Sequence, residues 1–160
     1  MFAWLSGKNE AMKLFIGLGN PGKKYENNRH NFGFMALDEI HAKLGASPWI
    51  EKFGGLYSKT KGVHLFKPMS FMNNSGVPTA QLANFFKINI AETYVFYDEL
   101  DVELGKIKIK NGGGDGGHNG IKSLDSNLGK QYWRVRIGIS HPGNKDLVHS
   151  HVLGDFTADE

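Results

Sequence analysis

A chain of 160 residues, 40% of them hydrophobic, is long enough to close one hydrophobic core and short for two. It has no cysteine, which excludes disulfides, thiolate nucleophiles and cysteine-type zinc sites and favours a reducing compartment. Its 19 basic residues against 16 acidic ones permit a polyanion partner without arguing for one, and no apolar run approaches the roughly 18 residues of a membrane span.

Residues 1–11 are too short and too polar at their centre for a secretory signal and read as an extension ahead of a single domain over residues 12–160. Lys13 to Leu18 is an apolar run ended by Gly19-Asn20-Pro21-Gly22, the pattern of a buried strand feeding a tight turn. Gly17-x-Gly19-x-x-Gly22 matches the dinucleotide fingerprint by letter, with Asp38 near the distance of a ribose-binding acid. The context contradicts that reading, because the third glycine falls in turn chemistry and Asp38 inside a helical pattern.

Asn31 to Leu44 carries helical periodicity and is stopped by Gly45. His30 then sits at a helix N-terminus between polar neighbours, where a lone histidine reads as a surface cap. Phe53 to Lys59 and Val63 to Lys67 are expected strands across a turn at Gly62. Asn73-Asn74-Ser75-Gly76 precedes an amphipathic segment from Val77 to Phe86, with Ser75 the expected helix cap. Capping accounts for one asparagine of the pair, and the other, beside Met72, is placed to face a ligand.

The richest stretch runs from Thr93 to Gly120. Thr93 to Tyr97 reads as a buried strand that delivers Asp98 to its carboxyl end, where open α/β sheets place their sites. From Lys106 to Lys110 the strict alternation puts three lysines on one face and two isoleucines on the other. Five glycines between Gly112 and Gly117 then leave a bare backbone that a bulky ligand can approach, and His118-Asn119-Gly120 opens a helical segment reaching Leu128. Trp133 to Ile139 is an expected strand with Arg134 and Arg136 on one face. His149-Ser150-His151 has the spacing of same-face strand neighbours, too little for a metal site without a third ligand. Thr157 and Glu160 have capping-box spacing, so a further helix is expected to open there.

Four ordered islands, GLGNPGKKYENNRHNFG, KPMSFMNNSG, DELDVELGKIKIKNGGGDGGHNG and RVRIGISHPG, together resemble the bacterial-type peptidyl-tRNA hydrolase family over nearly all of Met12 to Leu153. The resemblance implies an α/β domain with a twisted mixed sheet between helices, and cleavage of the ester joining a peptide to the 3′ ribose of tRNA. It implies no metal or cofactor, no obligatory protein partner, a monomer and a cytoplasmic setting. By matching positions it implies His30 as the base that activates water and Asp98 as the carboxylate that orients it. Asn20, Tyr25, Met72, Asn73, His118 and Asn119 would form the peptide and ester site, and Lys106, Lys108, Lys110, Lys122 and Arg136 the tRNA surface. Three asparagine amides suit a substrate of arbitrary sequence, since they bond a peptide main chain without reading its side chains. The lysine stripe alone would read as a solvated edge that discourages aggregation.

Three features depart from the family pattern: Asp115 inside the glycine loop, Ser70 where threonine is commoner, and the C-terminus. Relatives continue into a helix that packs on the domain, so a truncated domain with uncovered apolar surface is expected. The rival reading is a non-catalytic, splicing-type RNA-binding relative of the same fold.

Overall fold

Alternation along strand β1 (Lys13–Gly17) divides the molecule into layers, Leu14 and Ile16 turning into the main core and Phe15 and Gly17 to the opposite face. The computed structural model describes residues 12–160, so the expected extension over residues 1–11 lies outside the described residues. The remaining strands are β2 (Ile50–Lys52), β3 (Gly55–Thr60), β4 (Val63–Pro68), β5 (Thr93–Glu99), β6 (Ile107–Asn111) and β7 (Trp133–Gly138). They form one seven-stranded sheet in the order β2-β3-β4-β1-β5-β7-β6. The four central strands β4, β1, β5 and β7 are parallel, while β2, β3 and β6 pair antiparallel toward the edges, which bears out the mixed sheet.

Helix α1 (Phe32–Leu44) crosses β1, β4 and β5 on one face. Its close seat depends on two glycines: a Cβ on Gly33 would lie 2.2 Å from the Phe96 carbonyl oxygen, and one on Gly17 2.5 Å from the Gly33 carbonyl oxygen. That contact brings the residues just ahead of α1, His30 among them, to the carboxyl ends of the parallel strands. Helices α2 (Gly76–Phe86) and α3 (Asn119–Leu128) cover the other face, where Leu82, Ile121 and Leu124 close over Leu14, Ile16 and Val95. Each such fully buried side chain contributes about 1.5–3 kcal/mol. A short helix, α4 (Val148–Val152), closes the chain's path back across the strand ends.

Three local expectations change, and one face left unassigned is now placed. Phe53 is not in a strand but joins Gly54 in a two-residue hairpin turn between β2 and β3, with φ of 57° and 75°. Positive φ at both positions is what such a turn requires, and Phe53 is held there by packing on Tyr57, Phe85 and Phe86. Ser75 does not cap α2 with its side chain; its buried hydroxyl donates back to the Met72 carbonyl. His149 and His151 lie on a helix instead of a strand. The isoleucine face of β6 is open, with Ile107 60% and Ile109 63% exposed, because β6 is an edge strand beyond the reach of α1.

Candidate active site

Asp98, at the carboxyl end of β5, is 3% exposed and holds two imidazoles at once. His30 Nδ1 lies 2.8 Å from its Oδ2 and His118 Nε2 lies 2.8 Å from its Oδ1. The tautomer of His118 follows from its other nitrogen: Nδ1 accepts from the backbone N–H groups of Gly120 and Ile121, at 3.1 and 3.3 Å, and so caps α3. Its proton is therefore on Nε2 and is donated to Asp98. A carboxylate only accepts, so His30 likewise donates from Nδ1, which leaves its Nε2 lone pair free for chemistry. Burial alone would push the Asp98 carboxyl up, but attraction to His118 and His30 and the hydrogen bonds from both hold it well below the usual carboxylate range.

These groups open into a cleft of about 570 Å³ across the strand ends. One wall begins with Asn20, whose backbone is clasped by Asn31: Asn20 N–H donates to Asn31 Oδ1 at 2.8 Å, and Asn31 Nδ2 donates to the Asn20 carbonyl at 2.9 Å. Asn20 Oδ1 accepts from Met72 N–H at 2.8 Å, which leaves the amide NH₂ as the group it can offer a ligand. Asn31 carries no motif of its own, and its clasp was not legible in the sequence. The lining continues with Gly116 and Gly117 of the bare glycine loop, both at positive φ, and with α4, which adds His149. Asp115 orders this loop, its Oδ1 accepting from Gly117 N–H and its carbonyl from His118 N–H.

Of the residues expected to meet substrate, Asn20, Met72, Asn73, His118 and Asn119 line the cleft with His30 and Asp98. Tyr25 lies outside it, edge-on to Phe71 with ring centroids 6.3 Å apart. The expected tRNA residues lie outside the cleft as well. Lys108 and Lys110 stand on the exposed edge strand in register with Arg136 and Arg134, so all four share a face. Lys122 is exposed on α3. Lys106 Nζ is paired with Glu103 at 2.8 Å, and Arg136 Nη1 lies 3.6 Å from Glu99. Arg134, 1% exposed, has an internal job: it binds Asp125 of α3 at 2.9 Å and the Gly114 carbonyl at 3.3 Å, pinning the glycine loop to the helix. Asp38 is paired with the buried Lys67, and the turn after β1 leads into a 3₁₀ helix over Lys23–Tyr25, which disposes of the dinucleotide pattern.

Ligand atoms of His30, Asp98 and His118 lie within 4.8 Å of one another. Spacing alone would admit a metal ion. The donor set does not fit one, because the nitrogens facing the carboxylate both carry protons and His118 Nδ1 is committed to the helix cap.

The family model for peptidyl-tRNA hydrolase matches residues 14–160. The chain is similar to the peptidyl-tRNA hydrolase of Bradyrhizobium diazoefficiens, 52% identical over 149 residues that make up 91% of this chain and 74% of that one. It is also similar to the peptidyl-tRNA hydrolase of Methylobacterium sp. (strain 4-46), 50% identical over 153 residues, 93% of this chain and 75% of the relative. The crystal structure of peptidyl-tRNA hydrolase from Acinetobacter baumannii superposes with a TM-score of 0.88 at 37% identity, covering 94% of this chain and 79% of that one. Two independent likenesses, of sequence across nearly the whole chain and of fold at high superposition, converge on one assignment: this chain belongs to the peptidyl-tRNA hydrolase family.

Proposed function

We propose that the chain hydrolyses the ester between the peptide and the 3′ ribose of peptidyl-tRNA, with water as nucleophile and His30 as general base. The observation that carries this reading is the fixed orientation of His30, whose Nδ1–H is held by a buried carboxylate while its ring borders the cleft. Water attacks the ester carbonyl carbon as His30 Nε2 takes its proton. The tetrahedral intermediate then expels the ribose oxygen, which receives that proton, giving a free peptide carboxylate and tRNA. General-base assistance of this kind is worth about 10²–10⁴ in rate, and a donor aimed at the oxyanion about 10²–10³. The Asn20 amide is the donor best anchored for the second role, and Asn73 and Asn119 are placed to bond the peptide main chain. Lys108, Lys110, Lys122 and Arg136, joined by Lys106, supply sequence-blind phosphate contacts. The acting unit is the single chain, in the cytoplasm, with no cofactor and no protein partner.

The non-catalytic RNA-binding reading is not favoured, since such a protein has no use for an oriented, buried base. His30→Ala, assayed for release of tRNA from a peptidyl-tRNA analogue, is expected to lose at least about 10²-fold in rate while keeping its fold and tRNA binding. A loss below about tenfold overturns the general-base role.

A further inference from the structure

We propose that Arg29 is a positioning residue for His30, tying the turn that presents the base to the C-terminal strap whose α4 lines the same cleft. The inference rests on the general-base reading above. The turn over Arg29–Asn31 is a single 3₁₀ turn, too short to hold a side chain in one place unaided. Its support comes from residues more than a hundred positions away. Arg29 N–H donates to the Gly154 carbonyl at 2.9 Å, and its Nη1 donates to the His151 carbonyl at 3.1 Å. Asn28 Nδ2 donates to Asp155 Oδ1 at 2.6 Å, and Phe156 N–H returns to the Asn27 carbonyl at 3.0 Å. The Phe156 ring lies under the Arg29 guanidinium, at 5.8 Å, and edge-on to Phe32 at 4.8 Å.

The far end of the same strap is the cleft wall. Val148, His149, Val152 and Leu153 line the cleft that His30 borders, and His151 between them carries the carbonyl that Arg29 holds. Arg29 thus locks the turn that carries the base to a segment that lines the cleft beside it. The fork geometry matters, because one planar group reaches the wall and stacks on Phe156 together; an ammonium at the same place supplies charge without that reach.

The test compares Arg29→Met, Arg29→Lys and Asp155→Ala with the unaltered chain and with His30→Ala. Asp155 is exposed, so its loss removes one tie between turn and strap without opening the core. In the folded variants kcat is expected to fall about five- to tenfold on both peptidyl-tRNA and a small aminoacyl ester, with KM for peptidyl-tRNA changed less than about twofold and Arg29→Lys intermediate. The two imidazole N–H protons held by Asp98 give a second reading by proton NMR: the His30 signal is expected to shift or broaden while the His118 signal stays. Unchanged kcat in folded Arg29→Met and Asp155→Ala overturns the proposal. So does a loss confined to KM, which would make Arg29 a phosphate contact, or equal change of both imidazole signals, which would mean general loosening. If Arg29→Met does not fold, Arg29→Lys and Asp155→Ala together take its place. An active His30→Ala would instead sink the general-base reading, whatever the strap variants do.

Discussion

At the scale of single residues, Asp98 divides one carboxylate between two histidines, and that division predicts how substitutions combine. Asp98→Asn replaces a pure acceptor with a group that accepts at one atom and donates at the other, so one imidazole is forced to the wrong tautomer. We expect a large loss of kcat, and the double variant with His30→Ala should be little worse than the poorer single one, because both changes disable the same base. Losses that multiply would mean that Asp98 has a separate job. Asp98 stays ionised at neutral and mildly acid pH, its carboxyl being held well below the usual carboxylate range.

At the scale of elements, the proposed tRNA surface centres on β6, the exposed edge strand that leads into the glycine loop. The antiparallel register with β7 sets Lys108 opposite Arg136 and Lys110 opposite Arg134, so the lysine stripe extends onto a second strand. Of these four, Lys108 and Lys110 are solvated enough to be removed cleanly, since Arg134 is buried and Arg136 is partly buried and near Glu99. Lys108→Ala and Lys110→Ala should raise KM for peptidyl-tRNA, lower the steepness of its salt dependence by about one phosphate contact each, and spare a small ester. Equal effects on both substrates would move these residues into the chemistry. The other side of the strand predicts the opposite kind of result: Ile107→Thr and Ile109→Thr should change unfolding free energy by no more than about 0.5 kcal/mol, because both side chains face solvent. A cost above about 2 kcal/mol in denaturant titration would show that something covers them. The hairpin from β2 to β3 was not legible because its turn is Phe53-Gly54, and only packing among aromatic rings, not local preference, makes a phenylalanine adopt positive φ.

For the molecule as a whole, the site is also part of the stability ledger with pH. Asp98 has a folded-state pKa below its unfolded value, so it binds a proton less readily when folded and contributes stability at neutral pH. That contribution is complete above the unfolded value, about 3.9, and is lost as pH falls through the folded one. Melting temperatures measured from pH 6 downward should therefore drop below about pH 4 in the unaltered chain, and Asp98→Asn should show a shallower acid limb from a lower starting point. Parallel curves would mean that the carboxylate contributes nothing to acid sensitivity. The capping spacing at the C-terminus has a structural counterpart: Glu160 Oε1 accepts from Thr157 N–H at 2.8 Å, half of a capping box, and also from Arg29 at 2.8 Å.

Legible in the residues alone were alternating strands and helices, most strand positions and the seat of Asp98 at a strand end, because period-two and helical patterns and turn residues report local backbone preferences; the ordered motif islands carried the family resemblance. It placed His30, Asp98 and the asparagines of the cleft by motif. Only the tertiary structure shows what each touches there. The bond from His30 to Asp98 spans 68 positions and that from Arg29 to His151 spans 122, so no local pattern encodes them. His118 reads from sequence as one more cleft residue, yet the chain's path gives one of its nitrogens to a helix cap and the other to Asp98. Arg134 reads as a partner of Arg136 on a basic face, but α3 packs over it and supplies Asp125, turning a surface charge into a buried anchor. His149 enters the cleft because its segment coils into a helix across the strand ends. In each case the residue type was visible, while the partner came from a distant part of the chain, and the partner sets the role.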